Sequence, residues 1–167
     1  YIKIPEQAND NQVIFQKYES IANNFTLFLS KSTDSSSCNV CFGIQSSSFS
    51  IFASSSINKG SFIHVNAIYD NESQENIKLI TFDPNLSKYN IVSSSNSVKF
   101  DNLFYSRNDM TIGTGTSCRI DNDSNLFYPR ETFSGSIDEF RYYKTPLTLE
   151  NIKITKDRSH YLFDDKL

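Results

Sequence analysis

The chain has 167 residues and a formal net charge of −3. That length suits one domain with a proper core, and the acidic balance, with no Lys/Arg cluster, excludes a nucleic-acid face. No apolar run reaches the roughly 20 residues of a membrane-spanning helix, so membrane insertion is not expected.

In chain order, strand-like runs recur at short spacing. Tyr1–Ile4 reads as a strand stopped by Pro5. Phe25–Ser30 alternates, with Phe25, Leu27 and Leu29 facing one way. Asn39–Gln45 and Phe49–Ser54 follow, then Ser61–Tyr69 and an Asp70–Ser73 turn. Ile77–Phe82, a Pro84 turn and Tyr89–Val92 come next, then Met110–Ile112 leading into Gly113 and Gly115. Ile137–Tyr143 and Tyr161–Phe163 read as the last strands, the first placing Phe140 and Tyr142 in the core. Thr148 is placed to cap a short helix over Leu149–Ile152, with Glu150 near its positive end.

Gly numbers only 5 and Trp is absent, while aromatics reach 14%, a β-rich usage. The short Ser clusters read as turns and solvent-facing strand positions. Tyr1 is not a natural start, so the chain is expected to be a processed product or an excised domain. Many short strands with almost no helix imply an all-β fold, a two-sheet antiparallel jelly-roll sandwich spanning residues 1–167 as one domain of a larger protein.

Cys38 and Cys41 have C-x-x-C spacing, but alternation puts Cys38, Val40, Phe42 and Ile44 on one strand face and Cys41 on the other. They cannot pair, and neither His64 nor His160 stands at zinc-ligand spacing. Structural thiols are expected, with a bridge from Cys118 left open. Sequons occur at Asn24, Asn71, Asn85 and Asn122, which an Asn/Ser-rich chain also makes by chance.

The order of motifs resembles the concanavalin A-like superfamily, in particular its laminin G-like jelly-roll domains. The stretch FSGSIDEFRYYKTPLTLENI (Phe133 to Ile152) is similar to the family's F-x-G-x-I-D-E-V-R-I-Y-x-x-A-L-S-x-E-E-I. YIKIP, NNFTLFLS, INKGSFIHVNAIYDN, ENIKLITFD and MTIGTG resemble its other signature strands in the same order. Phe62 stands near where the family carries Trp, and Asp83-Pro84-Asn85 replaces its D-G turn. The chain begins at the Ile-Pro strand, so by the resemblance a first strand is missing or supplied elsewhere.

Enzymes of this superfamily set carboxylates at alternate positions, which sends them to one face; retaining glycosidases hold theirs about 5–5.5 Å apart. Asp138 and Glu139 are adjacent, so in a strand they point to opposite faces and Glu139 meets Arg141 at the surface. No catalytic residue is therefore assigned, and no enzyme activity is expected. Asp121, Asp123 and Asn125 have the D-x-D-x-N spacing of a calcium loop, but Gly at the sixth position and Glu at the twelfth are missing. The alternative there is a solvated polar loop. Tyr105 and Arg107, and Tyr128 and Arg130, lie in two near-repeats, Asn-Leu-Phe-Tyr-x-Arg, that offer an aromatic platform and planar hydrogen-bonding groups for a sugar. Their alternative is ordinary loop anchoring.

The first expectation is a non-catalytic, carbohydrate-binding recognition module, extracellular, on a cell surface or on a virion. The second is a structural or assembly domain of a virion, phage tail or adhesin, contacting other protein subunits. A degenerate glycosidase comes third. A lectin should carry exposed aromatics on a concave rim. An assembly domain should expose an apolar patch or unpaired edge strands.

Overall fold

The computed structural model describes residues 1–47, 49–73, 76–94, 109–119, 126–129, 131–143 and 145–157. In chain order the strands are β1 (Ile2–Lys3), β2 (Gln12–Ser20), β3 (Asn23–Lys31), β4 (Ser37–Ser46), β5 (Phe49–Asn58), β6 (Phe62–Tyr69) and β7 (Ile77–Asp83). β8 (Lys88–Ser93), β9 (Met110–Ile112), β10 (Cys118–Arg119), β11 (Leu126–Phe127), β12 (Glu131–Thr132) and β13 (Ser136–Ile137) follow, then helix α1 (Leu149–Asp157). They build two packed sheets. One has the order β13-β1-β6-β7-β8; the other has β12-β2-β3-β4-β5, with β9 also beside β2. Neighbours run antiparallel except β12, which lies parallel to β2. This is the expected all-β sandwich.

The core lies between the sheets because alternation sends one side of each strand inward. On β4, Cys38, Val40, Phe42 and Ile44 join that core, while Cys41 joins Val13, Phe28, Cys118 and Phe127 on the outer face. On β3, Phe25, Leu27 and Leu29 face inward, and the register sets them opposite Ile44, Phe42 and Val40. From the facing sheet come Ile2, Ile63, Ile77 and Leu79. Burying each such side chain stabilises by roughly 1.5–3 kcal/mol. The antiparallel β10–β11 pair covers the outer cluster, with Phe127 4.3 Å from Phe28 between ring centroids. All three cysteines are buried and free, so Cys118 forms no bridge.

Two expectations change. The strand expected over Ile137–Tyr143 ends at Ile137. β13 pairs with β1, whose last link is the Asp138 N–H donating to the Tyr1 carbonyl at 2.9 Å. Glu139 then turns the chain out of line at φ 53°. Phe140 and Tyr142, expected in the core, are 43% and 49% exposed, although Phe140 still stacks near Phe15 at 5.3 Å. The helix is also longer than expected. Thr148 caps it, its hydroxyl accepting from Asn151 N–H at 3.2 Å, and Ile152 is fully buried beneath it. Lys156 lies 3.8 Å above the Phe82 ring, so α1 rests on the outer face of the five-stranded sheet. The strand expected at Tyr161–Phe163 lies outside the described residues.

Candidate functional site

β1 is only two residues long, while its neighbour β6 is eight. The ladder between them pairs Ile2 with Ile63 and Lys3 with Phe62. Beyond Ile63, no strand among the described residues pairs with β6 on that side. The chain past β13 diverges as well, so a slot continues the line of β1. It forms a groove of about 840 Å³. One wall is Val65 to Tyr69, and the other is Glu139 to Tyr143. The floor belongs to the core: Phe15, Phe25, Leu27 and Phe42.

Exposure follows from this gap. Val65, Ala67 and Tyr69 share the inward phase of β6, yet Ala67 is exposed and the other two are only partly buried. Leu27, across the groove, is also less buried than Phe25 and Leu29 beside it.

The backbone polarity of the edge is fixed by the ladder. Tyr1 exchanges its bond with Asp138, so Ile2, the next residue, turns its N–H and C=O towards β6 and meets Ile63. Ile63, Val65 and Ala67 therefore point their amides to the β1 side. The far end of β6 agrees: Asp70 N–H donates to the Asn76 carbonyl at 2.8 Å, so the even-numbered residues face β7. Val65 and Ala67 thus present N–H and C=O groups into the slot.

The mouth carries polar and aromatic groups. Glu139 and Arg141 form an ion pair at 3.4 Å. Tyr142 and Tyr143 stand exposed next to it. Glu139 lines the groove but Asp138 does not, so the two adjacent carboxylates do not act on one space. His64, on the outer side of β6, stacks on Tyr1 with centroids 4.6 Å apart. Burial pushes its pKa down to about 4, helped by the positive charges of the Tyr1 amino group, Lys156 and Arg141. Burial likewise raises Cys38 to about 11 and raises Cys41 and Cys118, so the thiols are inert.

Of the sugar-site residues expected from the sequence, Tyr128 is exposed after β11 and does not line the groove. Tyr105, Arg107 and Arg130 lie outside the described residues, as do Asp121, Asp123 and Asn125 of the expected calcium loop. Among the described residues no group of three or more His, Cys, Asp or Glu could hold a metal ion. Asn24 of the first sequon is buried, its amide donating to the Ile21 carbonyl. No family, curated protein or solved structure matches the chain.

Sequence reasoning missed the groove because it read the segment after Ile137 as a paired strand.

Proposed function

We propose that the chain is a non-catalytic recognition module of concanavalin A-like, laminin G-like type, working outside the cell or on a virion surface, and that its groove contacts another protein. The observation that supports this is the groove's floor. Among the described residues, core aromatics Phe15, Phe25 and Phe42 floor a groove beside exposed Tyr142 and Tyr143, which suits protein contact better than a polar sugar. A benzoylphenylalanine at position 142, in the full protein in its native setting, tests it. A polypeptide adduct that disappears when Ala67→Arg fills the groove is the expected result.

Carbohydrate remains the second reading, favoured by the exposed Tyr142 and Tyr143 next to the Glu139–Arg141 pair. Tyr105, Arg107, Tyr128 and Arg130 belong to the same reading, with calcium at Asp121, Asp123 and Asn125. A glycan array with calcium, repeated in EDTA, separates the two. Specific glycan binding, with no polypeptide adduct at position 142, would replace the protein reading. Loss of that binding in EDTA would support the calcium loop.

A further inference from the structure

On the outer face of the five-stranded sheet, helix α1 lays two lysines over one aromatic pair. Phe82 of β7 and Tyr89 of β8 stand opposite each other in the ladder, so their rings share a face. The ring centroids are 4.5 Å apart and the planes meet at 40°. Lys156 Nζ lies 3.8 Å from the Phe82 centroid and 5.4 Å from that of Tyr89. Lys153 Nζ lies 5.6 Å from the Tyr89 centroid. A ring face attracts a cation within about 6 Å. The pair thus receives two like charges, three residues apart on one helix, which oppose each other.

The element that brings these cations is lightly held. α1 has nine residues, below the roughly 12 at which an isolated helix holds its shape in water. Ile152 is the one buried side chain among its described residues, while Lys153 and Ile154 stand exposed. Its other ties include the lysine–ring contacts and the Tyr1 hydroxyl, which donates to the Lys156 carbonyl at 3.4 Å. Such an element opens at lower cost than the strands beneath it.

We infer that Phe82 and Tyr89 form a binding site for a lysine ammonium of a second polypeptide, and that Lys156 occupies it until α1 lifts. The occupant in the folded chain shows the chemistry that the rings accept. An incoming lysine replaces two crowded charges with one. Neither ring lines the groove, so the site stands or falls apart from the groove reading.

The test is a random-peptide display selection on the folded full-length Lys156→Ala protein, with the best peptides then measured on the native sequence. Lys156→Met, which keeps the stem over the rings without the charge, serves if the alanine variant does not fold. The expected peptides share one lysine. They should bind the native protein at least about threefold more weakly, because there Lys156 competes. Norleucine in place of the peptide lysine should weaken binding about tenfold or more. Trimethyllysine should keep it, since a ring face attracts a cation that has no N–H to donate. Both changes are in the peptide, so misfolding cannot imitate them. Bound to the native protein, the peptide should strip α1 of amide protection and leave β7–β8 protected.

A folded variant that enriches no lysine overturns the inference. So do equal binding to native and variant protein, norleucine bound as well as lysine, loss of binding with trimethyllysine, or an α1 that stays protected in the complex. A dimer that exchanges α1 between two copies would put the partner's own helix on the rings and likewise overturn it.

Discussion

At the scale of the residue, His64 and the cysteines show burial setting chemistry. His64 titrates near 4 when folded and near the ordinary 6.5 when unfolded. Above pH 6.5 neither state is charged, and the group contributes no difference. Between 6.5 and 4 the unfolded chain takes the proton while the folded one resists it, so stability falls as pH falls. Below 4 the loss is complete. Its ceiling is about 3.5 kcal/mol at roughly 1.4 kcal/mol per unit, and solvent screening lowers it. Urea midpoints between pH 7 and 4 should therefore drop more steeply for the native sequence than for His64→Asn. Parallel curves would mean that His64 is not held neutral. The thiols make a second case. Buried and raised, Cys38, Cys41 and Cys118 should react with Ellman's reagent only as the protein unfolds. A rapid burst from the native state would contradict their placement.

At the scale of the element, the long strands were legible because alternation and burial agree along them. Val40, Phe42 and Ile44 lie on one face of β4 and Cys41 on the other, as their spacing alone requires. Thr148 was legible for a local reason too, since a cap acts within one turn. Thr148→Ala should cost about 1 kcal/mol, measured by thermal or urea unfolding; no change would mean that α1 stands without its cap. β13 was not legible past Ile137. Strand pattern is local, but pairing depends on a neighbour far away in sequence, and Glu139 turns the chain away from it at φ 53°. Gly135 holds this junction. A Cβ there would run into the Lys3 carbonyl and the Phe133 ring, so Gly135→Ala should displace β13 from β1. Loss of amide protection at Ile137, with β3–β4 protection kept, is the expected signature.

At the scale of the whole molecule, two sheets bury one continuous core except where the slot opens it. Leu29, fully buried at the centre, makes the core claim testable: Leu29→Ala should lower stability by about 2–5 kcal/mol at an unchanged urea slope. The sandwich class could be read from strand count and spacing. The groove could not, because it lies between segments far apart in sequence, Val65–Tyr69 and Glu139–Tyr143. The central claim is that, among the described residues, β6 has no partner on the β1 side beyond Ile63. Residue-resolved amide hydrogen exchange tests it most directly. Asn66 and Ile68, bonded to β7, should exchange slowly, while Val65 and Ala67, pointing into the slot, should exchange far faster. Equal, slow exchange at all four would show the edge covered and would contradict the account.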